Sequence, residues 1–226
     1  MAIFAISDLH LPIGVNKPMD VFGPRWTNYV DRLMENWTRI VSPEDCVIVP
    51  GDISWAMHME DAEADLRFLD NLPGIKVVSK GNHDYWWESL TKLKAFSEEK
   101  GFSSLVFLHN SAYLYKDTAI FATRGWLTPA DTNYAAHKDE KIYKREVMRM
   151  ELSAAKAKEL SPKHMIAAMH YPPAREFLRV LEEISPEICV YGHLHGVEKE
   201  EKIVSSTKIK LVSCDFLEFS PIKILD

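Results

Sequence analysis

The chain has 226 residues, of which 46% are hydrophobic and 27% charged, a composition typical of a globular protein of one domain with a substantial core. Its formal net charge of −6 makes wholesale binding of nucleic acid through the phosphate backbone unfavourable. No apolar run approaches the roughly 20 residues of a membrane span, and the amino-terminal run reaches Asp8 too soon for a signal peptide. We therefore expect a single cytoplasmic domain over residues 1–226, without membrane attachment.

The first third of the chain alternates apolar strand-like runs with segments of helical periodicity. This alternation is typical of a βαβ architecture with a largely parallel sheet. The predicted elements are a strand over residues 1–6, a helix over 26–41, a strand over 46–49, a helix over 58–72 and a strand over 75–78.

The pattern of predicted elements changes in the rest of the chain. Short β-prone runs separated by turn residues predict a meander from Leu105 to Ala122. The other predicted elements are helices over residues 86–100, 137–160 and 174–184, strands over 164–169, 188–191, 202–205 and 208–213, and an edge strand within 216–225.

Five of the predicted strands run directly into residues that bind metals or move protons. In chain order these are Asp8 and His10, Gly51-Asp52, Gly81-Asn82-His83-Asp84, His170, and Gly192-His193-Leu194-His195. Carboxylate, imidazole and amide oxygen are ligands that suit borderline and hard divalent cations. Ligands in open α/β sheets gather beyond the carboxyl ends of strands, so we expect these side chains to share one site. In extended backbone, Asp8 and His10 would point to the same side.

The order Asp-x-His, Gly-Asp, Gly-Asn-His-Asp, His and Gly-His-x-His, spanning residues 8 to 195, resembles the calcineurin-like metallophosphoesterase family. The resemblance implies an α/β fold, a four-layer αββα sandwich of two mixed β-sheets flanked by helices. It implies a cap-like insertion around residues 128–160. It also implies a dinuclear centre of Mn²⁺, Fe²⁺ or Zn²⁺, with Mn²⁺ favoured. One ion would be held by Asp8, His10, Asp52 and His195, and the other by Asp52, Asn82, His170 and His193.

The same resemblance implies the reaction. A metal-bridging hydroxide would attack the phosphorus of a phosphomonoester or phosphodiester. His83 would protonate the leaving group. Asp84, which follows His83 in the sequence, is expected to hold His83 in place. The partner would be a small phosphorylated substrate, including nucleotide-like ones. Arg124, Trp126 and Asn82 are the expected substrate contacts, and the Pro12–Trp26 loop is expected to form another wall of the pocket.

Two alternatives remain at this stage. The first is a pyrophosphohydrolase that cleaves a nucleotide-type P–O–P bond, and leaving-group preference would separate it from a phosphoesterase. The second is a non-catalytic metal-binding protein scaffold, which is disfavoured because the chain retains every ligand and His83. The sequence departs from the family pattern at one position. Many relatives carry an Asp three residues after the Asp of the Gly-Asp motif, and this chain has Trp55 there.

Overall fold

The structure is a computed structural model and describes residues 1–197 and 201–226, without the side chain of Glu201. The strands are β1 Ile3–Ala5, β2 Cys46–Pro50, β3 Ile75–Ser79, β4 Leu105–Leu108, β5 Ala112–Tyr115, β6 Thr118–Thr123, β7 His164–Met169, β8 Ile188–Tyr191, β9 Glu201–Val204, β10 Thr207–Leu211 and β11 Ile222–Leu225. The α-helices are α1 Tyr29–Ile40, α2 Glu63–Asn71, α3 Leu90–Lys100, α4 Ala136–Glu159 and α5 Glu176–Ile184.

The strands form two mixed sheets. The first has the order β11-β1-β2-β3-β4 and the second the order β5-β6-β7-β8-β10-β9. Within each sheet the central strands are parallel, and the antiparallel pairings are those of β11, β5 and β9 at the edges. The predicted α/β class with two mixed sheets is confirmed.

The central strands are buried on both faces, which explains their continuous apolar sequences. In β2, for example, Ile48 points into the core between the two sheets, whereas Val47 and Val49 point toward the helices on the outside. In β7, Ile166 likewise faces the first sheet, whereas Met169 faces the helices of the second. The side-chain alternation of strands therefore produces the four predicted layers, helices–sheet–sheet–helices.

The outer layers are helices with one apolar face. Leu33 and Trp37 of α1 are fully buried in the core cluster of the first sheet. Helix α4 packs Val147, Met150 and Ala154 against the second sheet and presents most of its charged residues to solvent, whereas Asp139 and Glu146 are buried. The role of residues 128–160 as a cap-like insertion stays a prediction. No helix within residues 1–197 and 201–226 combines the length and the apolar character needed to cross a membrane.

The predicted meander over Leu105–Ala122 is wrong. Strand β4 pairs in parallel with β3 of the first sheet, whereas β5 and β6 form an antiparallel hairpin in the second. The chain crosses from one sheet to the other between Leu108 and Ala112. Helices α2 and α3 also begin later than predicted. Residues 58–62 form a bend and turns, and residues 86–89 are a turn followed by irregular backbone, and their apolar side chains pack on the core.

One buried strand contains a lysine. Lys76 of β3 has no exposed surface, and its Nζ donates to three backbone carbonyl oxygens, those of Asp70 (3.0 Å), Leu72 (2.5 Å) and Gly74 (2.9 Å). These carbonyls lie at and beyond the end of α2, where a helix leaves carbonyl groups without intrahelical partners. Lys76 thus connects the end of α2 to the first sheet from within the core.

Candidate metal centre

The predicted ligands all lie where strands end. Those of the first sheet follow β1, β2 and β3, and those of the second follow β7 and β8. Because the parallel strands of a sheet end at the same edge, the two sets meet across the seam between the sheets. The side chains brought together there are those of Asp8, His10, Asp52, Asn82, His170, His193 and His195.

The Asp8 carboxylate is fully buried and is held from two sides. Its Oδ2 accepts hydrogen bonds from the hydroxyl groups of Ser7 (2.5 Å) and Ser213 (2.9 Å). The backbone N–H of His193 donates to Oδ1 at 3.1 Å and to Oδ2 at 3.0 Å. Oδ1 also lies 3.9 Å from Nε2 of His195. The carboxylate is therefore fixed with one oxygen facing a neighbouring imidazole.

The Asp52 carboxylate lies between imidazoles from both sheets. Its Oδ1 accepts the backbone N–H of His83 at 2.8 Å. Its Oδ2 lies 3.4 Å from Nε2 of His170 and 3.8 Å from Nε2 of His10. Since the side chain is only 2% exposed, water contributes little to solvating this oxygen. An oxygen at this position can be shared by cations on either side.

The neutral His170 ring carries its proton on Nδ1, so the lone pair on Nε2 faces other acceptor atoms. Nδ1 lies 3.1 Å from the carbonyl oxygen of Pro50, which can only accept, so Nδ1 carries the ring proton. Burial lowers the pKa of His170 to about 3, so the ring is neutral and Nε2 is a bare acceptor. Nε2 nevertheless lies 2.6 Å from Oδ1 of Asn82, which also lies 2.9 Å from Nδ1 of His193. A cation among these atoms would satisfy them all.

The donor set fits divalent metal ions. Two groups of carboxylate oxygens and imidazole nitrogens lie with their ligand atoms within 4.8 Å of one another. One group is Asp8, His10 and His195, and the other is Asp8, Asp52 and His170. Nδ1 of His10 is buried and has no hydrogen-bond partner among the described residues.

The electrostatics of the site also favour cations. Burial, together with the charges of Asp84 and Asp8, raises the pKa of Asp52 to about 9. Burial lowers the pKa of His193 to about 4 and places that of His10 well below its usual range. The imidazoles of His10, His170 and His193 are therefore neutral at pH 7, with lone pairs free to bind, and crowded carboxylates would be stabilised by positive charge.

Four residues at the site have left-handed backbone, and this contradicts the expectation of extended backbone at Asp8 and His10. The φ angles of Asp8, His10, Asp52 and His193 are 57°, 45°, 52° and 71°, which is the left-handed region. Asp8 and His10 are therefore not in extended backbone, and strand alternation is not what brings them together. Residues other than glycine rarely adopt this backbone region, and such backbone strain is concentrated at functional sites.

Glycines beside the ligands allow the strand ends to approach closely. A Cβ at Gly81 would overlap Oδ1 of Asp52, and one at Gly192 would overlap Oδ2 of Asp8 and Oγ of Ser7. Gly81 and Gly192 thus leave room for the carboxylates of Asp52 and Asp8, which follow other strands.

Gly192→Ala is expected to lower metal content although it removes no ligand. The added methyl group must displace the Asp8 carboxylate, and disturbed support of a ligand typically costs about 10–100-fold in metal affinity. Metal content by elemental analysis after dialysis is the measurement. Gly101→Ala is the control, since its Cβ would meet nothing within 4 Å and the strain at its φ of 71° lies at the end of α3. Full metal occupancy in Gly192→Ala would contradict the packing argument.

His83 lies at the mouth of the site. Its ring centroid is 4.8 Å from that of Trp55, 5.7 Å from that of His10 and 6.3 Å from that of Tyr85. Neither ring nitrogen forms a hydrogen bond with a residue that the structure describes. Burial, with smaller contributions from Lys17 and His195, lowers the pKa of His83. The ring is thus free to exchange a proton with a molecule in the cavity.

The Asp84 carboxylate does not hold the His83 ring, contrary to the expectation from the sequence. The carboxylate is fully buried, and it accepts the backbone N–H groups of Asp52 (2.9 Å), Ile53 (2.9 Å) and Gly81 (2.7 Å). A further backbone donor and the indole of Trp86, at 3.0 Å, complete its partners among the described residues. Asp84 therefore fixes the loops after β2 and β3 relative to each other, which positions Asp52.

Asp215 is a site residue that the sequence did not reveal. Its Oδ1 lies 2.8 Å from Nδ1 of His195. Burial alone would lower the pKa of His195, but this hydrogen bond and the charge of Asp8 raise it overall. Asp215 thereby orients His195 with Nε2 toward Asp8. The neighbouring Cys214 donates its thiol to the backbone oxygen of Asp8 at 2.8 Å, so this segment supports β1 as well.

A cavity with largely apolar walls opens beside the ligands. It encloses about 690 Å³ and includes His10, His83 and His195 in its lining. Its other lining residues come mainly from the predicted loop wall and are Met19, Phe22, Gly23, Pro24, Arg25, Trp26, Trp55, Gly196 and Asp215. We call this the aromatic cavity.

Arg124 and Trp126 lie outside the aromatic cavity. The Arg124 guanidinium stacks over the Trp126 ring at 4.3 Å and donates to Oε1 of Glu146 at 3.2 Å. The link to the metal centre is indirect, because the Arg124 carbonyl oxygen accepts the N–H of His170 at 3.1 Å. Trp126 contacts the ring of Tyr171, whose centroid lies 4.1 Å from that of His193.

Comparison with known proteins gives a family and a fold. The sequence profile of calcineurin-like phosphoesterases matches residues 1–197. No curated protein sequence matches the chain significantly.

Several solved structures share the fold. Protein TT1561 of Thermus thermophilus has 13% identity and a TM-score of 0.63, over 99% of this chain and 97% of that one. The phosphopantetheinyl hydrolase of Mycobacterium tuberculosis has 15% identity and a TM-score of 0.57, over 99% and 95%. A protein of unknown function from Aquifex aeolicus has 16% identity and a TM-score of 0.50, over 98% and 95%. At these identities the likeness shows the fold alone.

Proposed function

This chain belongs to the calcineurin-like phosphoesterase family, and from that premise we propose that it hydrolyses a small phosphomonoester or phosphodiester at a centre of two divalent ions. In general terms the protein is a metal-dependent phosphoesterase. The observation that carries the finer proposal is the meeting of seven ligand side chains from five strand ends across the seam between the two sheets.

The ligands divide into two sets that share one carboxylate. We assign Asp8, His10, Asp52 and His195 to one ion and Asp52, Asn82, His170 and His193 to the other. The position of Asp52 Oδ2, within 3.8 Å of an imidazole nitrogen in each set, supports this sharing. The absence of thiolate from the set suits Mn²⁺, Fe²⁺ or Zn²⁺, with Mn²⁺ favoured. Such ions would supply a nucleophilic water at neutral pH and neutralise phosphoryl charge.

The chain's own groups bind the substrate and move a proton. His83 lies at the boundary between the ligands and the aromatic cavity, and it is the group proposed to protonate the leaving oxygen. Asn82 offers an amide beside the phosphoryl position. The rings of Trp26 and Trp55 exclude water from one side of the site, which strengthens the electrostatic interactions there.

The aromatic cavity supports an organic phosphate, including a nucleotide-like one. Trp26, Trp55 and Phe22 offer faces for a planar or apolar group. Two cations lie near it, since Lys17 Nζ is 3.5 Å from the Trp55 centroid and Arg25 lines the wall. These charges would also suit a second phosphoryl group, which keeps a pyrophosphohydrolase as the second candidate. A non-catalytic scaffold has no comparable observation in its favour.

A substrate panel tests the proposal. Protein loaded with Mn²⁺ should hydrolyse organic monoesters or diesters, whereas a pyrophosphohydrolase would prefer compounds with a P–O–P bond. The panel includes a phosphopantetheinyl diester, because one protein with this fold carries the name of a phosphopantetheinyl hydrolase. Protein treated with EDTA is the control. Absence of turnover on every compound with both ions bound would refute the catalytic proposal.

His83→Asn is expected to separate substrates by leaving group. A departing alkoxide needs a proton, whereas nitrophenolate barely does, so turnover of alkyl phosphates should fall by about 10²–10⁴-fold. Turnover of nitrophenyl phosphates should fall far less, and metal content should not change. Kinetics on the matched pair of substrates are the measurement. Equal losses on both would instead assign His83 to positioning or charge stabilisation.

A further inference from the structure

A second cavity lies at the seam between the sheets and shares no lining residue with the aromatic cavity. It encloses about 360 Å³ at the carboxyl ends of β3, β4 and β6, and helix α4 forms one wall. Its cationic lining residues are Lys80, Arg124, Arg145 and Arg149, and His109 lies among them. We call this the cationic cavity.

One buried carboxylate serves two of these cations. Oε1 of Glu146 accepts hydrogen bonds from Arg124 Nη2 at 3.2 Å and from Arg149 Nη1 at 2.7 Å. The Glu146 side chain is 1% exposed, whereas those of Arg124 and Arg149 are 14% and 27% exposed. A single negative charge therefore fixes two guanidinium groups in the wall and leaves one positive charge between them.

The remaining cations have no carboxylate of their own. Among the described residues, neither Lys80 nor Arg145 forms an ion pair. Glu88, the other acidic residue of the lining, lies at the rim and is paired with Lys92 at 3.2 Å. The four cations face two carboxylates, so the cavity keeps a charge of +2 inside a protein whose net charge is −6.

Three buried polar atoms in the lining residues lack partners. They are Oγ of Ser79, Nε1 of Trp87 and Nε of Arg124, and none has a hydrogen-bond partner among the described residues. A buried donor without a partner costs about 1–3 kcal/mol, so these three atoms leave the residues that line the cavity incompletely hydrogen-bonded. All three can donate, and the indole and the guanidinium can only donate.

We propose that the cationic cavity binds a tetrahedral oxoanion, a phosphate or phosphoryl group, at a site distinct from the metal centre. A dianion would match the excess positive charge, and the guanidinium forks of Arg124 and Arg149 suit its oxygens. The source is either inorganic phosphate or a second phosphoryl group carried by the substrate.

Titration of the EDTA-treated protein with inorganic phosphate tests the site without the metals. Calorimetry should show saturable binding, and Arg145→Gln and Arg149→Gln should each weaken it by about 10-fold or more, the effect of one lost charge-assisted contact. Lys144→Gln is the matched control, because Lys144 precedes Arg145 on α4 but faces solvent and pairs with Glu140. Its affinity should stay within about twofold of the wild type. No saturable binding by the wild type, or equal affinities of all three variants, would overturn the proposal.

Turnover by the metal-loaded enzyme distinguishes the two sources. Two substrates with the same reacting group are compared, one of which carries a second phosphoryl group. A rise in KM for Arg145→Gln that is confined to the doubly phosphorylated substrate identifies that group as the ligand. Equal behaviour on both substrates, with weakened phosphate binding, identifies inorganic phosphate. Because binding is measured on metal-free protein, failure of the catalytic proposal would leave these results interpretable.

Discussion

Asp52→Asn is expected to abolish binding of both metal ions and to lower phosphoesterase activity by at least about 10²–10³-fold. The substitution replaces the one carboxylate assigned to both ions by an amide, which removes a ligand charge and a ligand oxygen. Only Asp8 would then supply negative charge among the seven ligands. Elemental analysis after dialysis and turnover on the preferred substrate are the measurements.

A loss of metal must be distinguished from a loss of structure. The unfolding temperature of EDTA-treated Asp52→Asn should not fall below that of the EDTA-treated wild type, because an amide, unlike an ionised carboxylate, is not disfavoured by burial beside Asp84 and Asp8. Asp45→Asn is the control: Asp45 is buried outside the site and accepts backbone N–H groups of Ala2 (2.6 Å) and Ser42 (2.9 Å). It should keep both ions. One ion retained by Asp52→Asn would refute the shared-ligand assignment.

Lys76→Met is expected to destabilise the fold by about 3–5 kcal/mol. Burial lowers the pKa of Lys76 to about 8, so at pH 7 the ammonium group persists and can donate to all three carbonyls. Methionine has similar length but no donor, and each buried carbonyl left without a partner costs about 1–3 kcal/mol. Some of this cost is recovered because the charged group no longer has to be buried. Urea denaturation at pH 7 measures the change.

Lys208→Met is the matched control for that substitution. Lys208 occupies a strand of the second sheet, but its side chain is exposed. An exposed substitution of this kind usually changes stability by less than about 0.5 kcal/mol. If both variants lose the same stability, the effect belongs to methionine in a strand and not to the capping of α2 by Lys76.

Much of the fold could be predicted because its strands are short apolar runs with turn residues at both ends. Sheet membership could not be predicted in the same way. Leu105–Leu108 and Ala112–Tyr115 have the same β-prone character, yet they belong to different sheets. Strand pairing depends on long-range contacts, and a local pattern contains no information about which partner lies beside it. Only the tertiary structure separates a meander from a crossing between sheets.

The meeting of the candidate ligands was predictable because each motif follows a strand, whereas the residues that support them were not. Asp215 stands in the run Cys214-Asp215-Phe216, which has no metal-binding spacing, and it reaches His195 only through the fold. Asp84 illustrates the converse. It stands next to His83 in the sequence, but its side chain turns toward backbone donors on the neighbouring loop. Adjacency in a motif does not reveal where a side chain points.

The left-handed backbone at Asp8, His10, Asp52 and His193 has a consequence for protein engineering. Glycine and asparagine tolerate this conformation best, so a redesign guided by stability alone would favour them at these positions. Each such exchange would relax the backbone and remove a proposed metal ligand at the same time. If the proposed metal centre is correct, a redesign for stability would lose metal binding unless these four residues were kept unchanged.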